Sequence, residues 1–322
     1  MLNPIMTSLP LVSVIMPLYN AENYVAEAIQ SILNQTYTNW ELIIVNDGST
    51  DTSLASAKQF ENEKIKVFSK ENNGAGAARN YGYKQSKGQF IKFFDADDML
   101  NPGMLDAQVQ LAGKNTNAVI SGKWGRFYND NINDFKLSPE ACWQDMAPLE
   151  WLCSSWYNGT AMTQPGIFLI PKAIIEKAGL WDESLNLVDD LEFFTKIILA
   201  SQGVKFCDAS VLYYRSGQGN NLSGQKSRKA IESYFKAMEL STSYLLAASQ
   251  AGIVKLTVAN VWQSFAYYCY PNNLDLVKKA EKRALNLAKA NLPYSNNKRH
   301  QFFISIFGWK LLKRFQMARK AF

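Results

Sequence analysis

Short apolar runs alternate with helix-like segments over the first hundred residues of this 322-residue chain. The runs are rich in branched and aromatic residues, as strands are, and they lie at 11–16, 40–45, 64–69 and 90–94. Residues 23–33 carry apolar side chains at helical spacing, and 73–87 begins with glycines and continues as a helix. Strands that alternate with helices form a mostly parallel sheet covered by helices. The sequence therefore predicts an α/β fold.

Polar, glycine-containing turns follow the strands and should gather at one edge of the sheet. In such sheets ligands bind in a crevice outside the carboxyl ends of the strands. Asp47 lies in the turn 46–51 and can present its carboxylate to a base or a ribose there. The alternative is a purely structural Asp-Gly turn that requires a positive φ at Gly48.

Three carboxylates follow the fourth strand within four residues, namely Asp95, Asp97 and Asp98. They repel one another unless a cation lies nearby, and oxygen ligands of this kind suit Mg²⁺ or Mn²⁺. Ions of this type keep several waters and are commonly shared with substrate phosphates. The alternative is an acidic turn that caps the helix starting near Pro102.

The stretch from Gly74 to Arg79 half matches the dinucleotide-binding pattern G-x-G-x-x-G/A. Arg79 occupies the third glycine position, and the stretch follows the third strand instead of the first, which argues against an NAD-dependent dehydrogenase. Two small residues at the start of a helix still allow the backbone to approach a ligand, and Arg79 can reach a base or a phosphate.

A second acidic pair, Asp189 and Asp190, precedes a helix with apolar residues at helical spacing. Acids stabilise helix starts through the macrodipole, which is a structural explanation. A carboxylate there can also face the crevice and take a proton from an incoming hydroxyl. The chain has one histidine, His300, so a Ser-His-Asp triad is disfavoured and a carboxylate is the expected base.

The elements after residue 100 are less regular. Further short strands are predicted at 119–121, 164–170, 205–207 and 211–214, a helix at 172–178, and a polar surface insertion at 127–147. The aromatic residues Trp143, Trp151, Trp156 and Tyr157 either stack on sugars or pack in the core. From residue 225 onward the chain reads as helices.

Positive charge is concentrated at the carboxyl end. Residues 276–322 contain twelve lysines and arginines and one acid, Glu281, which leaves 1–275 with a net charge of −5 in a chain of +6. A nucleic-acid enzyme would place its basic surface around the site, so no nucleic-acid partner is expected. Residues 302–322 read as a basic amphipathic helix that either lies on an anionic membrane or packs on the protein.

Five stretches, taken in order, resemble the inverting glycosyltransferase family 2, whose members have the GT-A fold. The stretches are 14–20, 45–51, 73–80, 95–98, and 179–183 with Asp189-Asp190; together they span roughly residues 10–223. The resemblance implies a GT-A domain at 1–224, with a nucleotide-binding half at about 1–100 and an acceptor-binding half at 101–224. Residues 225–322 would form a helical, basic C-terminal extension.

The resemblance also implies a role for individual residues. Pro17, Tyr19 and Glu22 would line the nucleotide pocket, Asp47 would accept from the base, and Arg79 would lie near it. Asp95 would contact the ribose or a metal-bound water, and Asp97 would ligate Mn²⁺ or Mg²⁺. Asp190 would be the general base. Secondary or acceptor contacts would come from Asp98, Asp189, Trp181 and Arg215.

One feature departs from the family pattern. Many members carry a histidine shortly after the Tyr-Arg pair that closes the domain, whereas this chain reads Tyr214-Arg-Ser-Gly-Gln218. The resemblance therefore implies no metal or phosphate contact by a histidine in this loop, and Arg215 or backbone N–H groups can substitute as donors to a phosphate.

The implied reaction is a sugar transfer with inversion at the anomeric carbon. The donor would be a nucleotide-diphosphate sugar, with UDP implied by the family and GDP and dTDP left open. The acceptor would be a saccharide or lipid-linked saccharide in the synthesis of a bacterial surface polysaccharide or glycoconjugate. Four widely spaced cysteines indicate a reducing compartment, so the protein is expected in the cytoplasm or at the inner face of the membrane.

Two other classes are disfavoured, and the first of them is kept as the alternative. A non-catalytic nucleotide-sugar-binding or scaffold protein on this fold should have lost carboxylates from the metal or base site, and none is lost here. A nucleotidylyltransferase should carry a basic triphosphate loop after the first strand, where this chain has Pro17-Leu-Tyr-Asn20.

Overall fold

The computed structural model describes residues 9–115, 117–159, 163–217, 227–292, 294 and 297–320. The strands are β1 (Val12–Leu18), β2 (Trp40–Asp47), β3 (Ile65–Lys70), β4 (Phe90–Phe93), β5 (Met99–Leu100), β6 (Val119–Tyr128), β7 (Asn131–Leu137), β8 (Ile170–Pro171) and β9 (Val204–Ser216). The helices of the first two hundred residues are α1 (Val25–Leu33), α2 (Ser53–Lys58), α3 (Ala75–Gln85), α4 (Met104–Gly113), α5 (Pro148–Trp156), α6 (Lys172–Ala178) and α7 (Asp189–Ala200). Those that follow are α8 (Arg228–Ala248), α9 (Gly252–Cys269), α10 (Leu274–Leu287), α11 (Lys298–Phe307) and α12 (Trp309–Lys320).

The larger sheet has the strand order β3-β2-β1-β4-β8, and its first four strands are parallel. In the central strand β1, Val12 is opposite both Trp40 and Phe90. This register brings the loops after β1, β2 and β4 to one edge of the sheet. The order reverses between β1 and β4, which is where a ligand crevice is expected in such a sheet.

The smaller sheet has the order β5-β9-β6-β7 and corrects two predictions. The strands predicted at 205–207 and 211–214 are one strand, β9, whose register against β6 shifts between Gly122 and Lys123. Gly122 lies against Ser210, and a Cβ at Gly122 would clash with the Ser210 hydroxyl. The small and polar residues at 208–210 are typical of a strand end, so the sequence predicts two strands, although β9 continues through them.

Two further predictions in this half were wrong. The surface insertion predicted at 127–147 begins inside the β6–β7 hairpin, and Phe127 is fully buried because β6 extends through it. The strand predicted at 164–170 is instead a 3₁₀ turn at Pro165–Ile167, followed by the two-residue strand β8. Pro165 lacks the N–H that a central strand would need.

An aromatic cluster forms the core between the larger sheet and α7. Trp181 stacks on Phe193 with ring centroids 4.0 Å apart, and Phe93 meets both rings edge-on. Trp151 and Trp156, for which sugar stacking was one interpretation, are buried core residues. Burial of rings of this size stabilises the packing of α7 on the larger sheet.

Beyond residue 227 the chain is helical, as predicted. Helices α8, α9 and α10 pack together, with Phe235, Trp262 and Phe265 between them. The predicted single tail helix is two helices, since Gly308 has a φ of +77° and ends α11. Residues 321 and 322 of that predicted helix, and the domain boundary predicted at 224, lie outside the described residues.

Across the described ranges, none of the helices has both the length and the apolar character needed to cross a bilayer.

Candidate active site

The loops after β1 and β2 are joined by paired hydrogen bonds. Asn20, with a positive φ, donates from its backbone N–H to the Ser49 hydroxyl and accepts from the N–H of Thr50. The carboxylate of Glu22 accepts from both the N–H and the hydroxyl of Thr52, at 2.9 and 2.7 Å. Glu22, predicted to line the nucleotide pocket, therefore also fixes the two loops relative to each other.

Pro17 and Tyr19 lie on either side of the end of β1. Pro17 is half-buried in the strand, and Tyr19 is 47% exposed at the edge of the sheet. An exposed aromatic ring at this edge can stack on a planar ligand.

Asp47 ends β2 and is only 3% exposed. Its carboxylate accepts from the Lys70 ammonium at 2.5 Å and from the N–H groups of Asn73 and Gly74 at 3.1 and 2.8 Å. The structure thus assigns Asp47 a role in holding the loop before α3 against the end of β2. A base bound here would have to share a carboxylate that already has three donors.

Arg79 connects the two acidic clusters. From α3 its guanidinium donates to Asp95 at 2.8 Å on one side and to Asp189 at 3.0 Å on the other. The group is 6% exposed and lies 4.3 Å above the Trp181 ring. Trp181, one of the predicted secondary residues, therefore supports Arg79 from below. The planar guanidinium suits such a two-sided contact, whereas a lysine would not.

Asp97 and Asp98 occupy different environments. Removal from water, and then the nearby Asp95 charge, raise the pKa of Asp97 to about 6. Asp98 is 2% exposed and accepts from the N–H of Arg215 at 3.0 Å. Burial, followed by the charges of Asp97 and Asp95, raises the pKa of Asp98 well above its usual range. Asp98 therefore anchors the turn to β9, whereas Asp97 is only partly buried.

The donor set at the end of β4 fits a divalent ion in part. The hydrogen bond that lowers the pKa of Asp97 comes from its own backbone, and the Asp95 side chain is 27% exposed. Both carboxylates thus retain oxygens that can coordinate Mn²⁺ or Mg²⁺. Among the described residues, no cluster of three or more metal-binding side chains occurs. Two carboxylates would hold such an ion only together with waters or phosphate oxygens.

Arg215 is bound within the protein on all sides of its guanidinium. It donates to the Asp97 carbonyl at 2.8 Å, to Asp130 at 2.6 Å and to Glu27 at 2.5 Å, and it is 5% exposed. These bonds tie the turn after β4 to α1 and to the β6–β7 turn. Its contact with the Asp97 backbone makes Arg215 a support of the acidic turn.

Asp190 lies in the first turn of α7, next to Asp189. Its carboxylate accepts from the Thr163 hydroxyl at 2.9 Å. Removal from water and the adjacent Asp189 charge raise the pKa of Asp190 to about 7, although Thr163 and Arg79 act in the opposite direction. Burial also raises the pKa of Asp189, opposed by Arg79. A carboxylate with a pKa near 7 can accept a proton from a hydroxyl at neutral pH.

Thr163 was missed by sequence reasoning, since a threonine before a proline-containing turn has no distinguishing pattern. Asn80 was named only as the end of a family stretch, yet its amide joins α3 to the segment before α7. It donates to the Trp181 carbonyl and to Glu183, both at 2.9 Å, and accepts from the Trp181 N–H at 3.0 Å. Together with Arg79, it brings the residues around Asp189 to the end of β4.

A model of glycosyl transferase family 2 matches residues 13–178. The chain belongs to glycosyltransferase family 2. This confirms the family predicted from the five stretches and places the chain in a family of transferase enzymes. All the loops described above, apart from the segment that carries Asp189 and Asp190, fall within the matched residues.

Two curated family members illustrate the likeness. An uncharacterised glycosyltransferase of Rickettsia typhi is 36% identical over 200 residues, which are 60% of this chain and 60% of that protein. The UDP-Glc:alpha-D-GlcNAc-diphosphoundecaprenol beta-1,3-glucosyltransferase WfgD of Escherichia coli is 37% identical over 131 residues, 40% of this chain and 52% of WfgD. The chain thus spans between about half and 60% of the length of these relatives.

Among solved structures, S. aureus TarS in complex with UDP-GlcNAc superposes on 86% of this chain and 81% of its own. The TM-score is 0.69 at 20% sequence identity. The likeness confirms the predicted α/β GT-A fold with a helical C-terminal region.

Proposed function

We propose that the chain is an inverting, metal-dependent glycosyltransferase that moves a sugar from a UDP-sugar to the hydroxyl of a saccharide acceptor, with Asp190 as the general base. The observation that carries this proposal is the bridge Asp95–Arg79–Asp189. It places the helix start that bears Asp190 beside the acidic turn after β4. A base and a site for a diphosphate therefore share one crevice.

The chemistry follows from the charges in that crevice. A divalent ion held by Asp97 and Asp95 would neutralise the charge that develops on the departing diphosphate, an effect of several kcal/mol. Asp190 accepts the proton of the acceptor hydroxyl, which contributes about 10²–10⁴ in rate. The freed oxygen attacks the anomeric carbon opposite the leaving group, so the configuration inverts. Because Arg79 is ion-paired with Asp189, the Asp189 carboxylate stays charged and bound. Asp190 is then the carboxylate that accepts the proton.

The nucleotide would lie along the edge formed by the loops after β1 and β2. We assign Pro17, Tyr19 and Glu22 to its pocket, with Asp47 organising the neighbouring backbone. This assignment makes residues 1–100 the nucleotide-binding half and 101–224 the acceptor-binding half of a catalytic domain at 1–224, followed by the helical region 225–322.

The names of the relatives support a particular donor and acceptor class. WfgD is named for UDP-glucose and for a diphosphoundecaprenol-linked N-acetylglucosamine, and TarS was solved with UDP-GlcNAc. We propose a UDP-sugar donor and a saccharide acceptor carried on a lipid diphosphate, used to build a bacterial surface polysaccharide or glycoconjugate.

A lipid-linked acceptor would be met at the inner face of the cell membrane, and we propose that the tail contacts that surface. Trp309 and Leu312 pack α12 onto the protein, whereas Phe302 and Phe307 are 70% and 57% exposed among basic residues. Removing residues from 295 onward, or changing Phe302 and Phe307 to serine, should abolish flotation with vesicles containing phosphatidylglycerol. Unchanged flotation of both variants would exclude the tail as the contact.

The donor and metal are tested by thermal unfolding with UDP, GDP, dTDP and CMP, each with and without Mn²⁺. A ligand present at about 100 times its dissociation constant adds about 2.7 kcal/mol to the free energy of unfolding. We expect a stabilisation by UDP that is larger with Mn²⁺ and is lost in the Asp97→Asn variant. Stabilisation by another nucleotide would change the donor class. No stabilisation by any of them would favour a non-catalytic scaffold.

A further inference from the structure

The C-terminal helix α8 is bonded to the segment that precedes the proposed base. The Ser233 hydroxyl, 8% exposed, accepts from two successive backbone N–H groups, Asn186 at 2.7 Å and Leu187 at 3.2 Å. These two residues lie immediately before Val188 and the start of α7. One side chain of α8 therefore fixes the backbone three and four positions ahead of Asp190.

Further residues of α8 contact the same region. The Lys236 ammonium donates to the Ser184 hydroxyl at 2.6 Å, and the Tyr244 hydroxyl donates to Glu192 of α7 at 3.1 Å. The positions 233, 236 and 244 are three and eight residues apart, so they lie along one face of the helix. This face of α8 thus contacts the segment 184–192. Helix α8 lies beyond the residues that the family model matches.

The turn that Ser233 holds has an unfavourable backbone conformation. Val188 has φ 59° and ψ 32°, in the left-handed region. A β-branched side chain is rare there, and such a conformation persists only where surrounding contacts enforce it. Directly after it, the Asp189 carboxylate accepts from the N–H of Asp190 at 3.1 Å as α7 begins. The direction in which Asp190 points depends on this turn.

We propose that Ser233 is a positioning residue for the transfer reaction. Its two hydrogen bonds hold the strained turn at Val188 in the conformation that presents Asp190 to the acceptor hydroxyl. The C-terminal helical region would then be part of the catalytic apparatus, although it contributes no group that touches substrate. This inference rests on the proposed role of Asp190 as the base.

The test compares two serine variants of the full chain. Ser241 provides the control, because it is also buried on α8 but donates within its own helix, to the Ala237 carbonyl at 2.7 Å. We expect Ser233→Ala to lower kcat, measured as the rate at which UDP is formed during sugar transfer, by about tenfold or more. This is the effect of losing two hydrogen bonds. UDP affinity measured by calorimetry should change less than about twofold, since the donor loops contact neither serine. Ser241→Ala should alter neither quantity.

A second variant separates positioning from general destabilisation. Asparagine tolerates the left-handed conformation better than valine does. Adding Val188→Asn to Ser233→Ala should therefore restore much of kcat, and amide hydrogen exchange at 186–190, raised in Ser233→Ala, should slow again. A structural role alone would give no such recovery.

The outcomes are distinguishable. Unchanged kcat and exchange in Ser233→Ala would overturn the positioning role, as would losses of kcat and UDP affinity in equal proportion. Asp190→Asn is measured alongside. If it retains its turnover, the proposed base is wrong. If it is inactive while Ser233→Ala behaves as wild type, only the positioning role fails.

Discussion

The proposed donor side of the crevice and its proposed base side are each held in place by contacts of different range along the chain. On the donor side, Glu22 bonds to Thr52 and Asp47 to Gly74, partners that are 30 and 27 residues apart. On the base side, Asp189 is paired with Arg79 across 110 residues, and the backbone of Asn186 is held by Ser233 across 47. The donor side is therefore built by neighbouring strand–helix units, whereas the base side also needs distant parts of the chain in addition to Thr163, which is 27 residues from Asp190.

This difference predicts how each side responds to substitution. Changes in the donor loops should act first on nucleotide affinity. Changes around α7, including those from α8, should act on turnover while nucleotide affinity stays the same. Arg79 is the exception, because it belongs to both sides.

The largest effect is expected at the base. Asp190→Asn keeps the shape of the side chain but cannot accept the proton, so kcat should fall by about 10²–10⁴. UDP affinity, measured by calorimetry, should stay within about twofold of wild type. Asp106→Asn, a half-buried acid in the first turn of α4 whose carboxylate accepts locally, from Gln110, serves as the control and should leave both unchanged. A variant that keeps most of its turnover would remove Asp190 from the role.

A smaller effect on both sides is expected from Arg79→Lys. A single ammonium cannot bond to Asp95 and Asp189 together, and losing one charged hydrogen bond of about 1.5–3 kcal/mol should reduce kcat ten- to hundredfold. Because Asp95 would also lose its partner, UDP should bind more weakly. Arg283→Lys is the matched control, since Arg283 also lies over an aromatic ring and pairs with an acid, but its partners Trp262 and Glu239 belong to the C-terminal helices α9 and α8. Loss of turnover with unchanged UDP affinity would mean that Arg79 supports only the base side and that its bond to Asp95 does not affect UDP binding.

The smallest effect on activity is expected at Lys92, which lies in the core of the larger sheet, on strand β4. Its ammonium, fully buried in β4, donates to Gln108 at 3.0 Å and to the Phe168 carbonyl at 3.2 Å. Burial lowers the pKa of Lys92 from 10.5 to about 7. Between these values the unfolded chain binds more protons than the folded one, so the free energy of unfolding rises with pH.

Compared with Lys92→Met, the wild-type chain should therefore gain about 2 kcal/mol of stability between pH 7 and 9, as measured by urea unfolding. Turnover at pH 8 should be unchanged in the variant. The same pH dependence of stability in both proteins would mean that Lys92 keeps an ordinary pKa.

The contrast between the two sides also explains what the sequence could reveal. The four parallel strands, the turn at Asp47 and the acidic turn at Asp95 were predictable because each depends on a short run of residues. The helix at 172–178 was predicted with its observed bounds, because its apolar periodicity and its closing glycine are local signals.

The partners on the base side were not predictable in the same way. Nothing near Thr163 or Ser233 in the sequence distinguishes them from other buried hydroxyls. Their roles follow from tertiary contacts with the segment around the start of α7, made by Thr163 from the stretch before the 3₁₀ turn and by Ser233 from α8. Val188 was likewise hidden, since valine gives no signal for a left-handed turn. The continuation of β9 past residue 207 depends on Gly122 in another strand.

The central claim is that Asp190 is the proton acceptor, and the pH dependence of kcat tests it most directly. Asp190 is faced by Asp189, Arg79, Thr163 and Tyr234, and its pKa is raised to about 7. Since the base must be deprotonated, kcat should increase about tenfold per pH unit below pH 7 and level off above it. Lys92→Met should show the same acidic limb, which excludes Lys92, whose pKa is also near 7, as the cause of the limb. A limb set by Asp97 would lie near pH 6 and would persist in Asp190→Asn. A limb near pH 4, or a limb near 7 that persists in Asp190→Asn, would contradict the account.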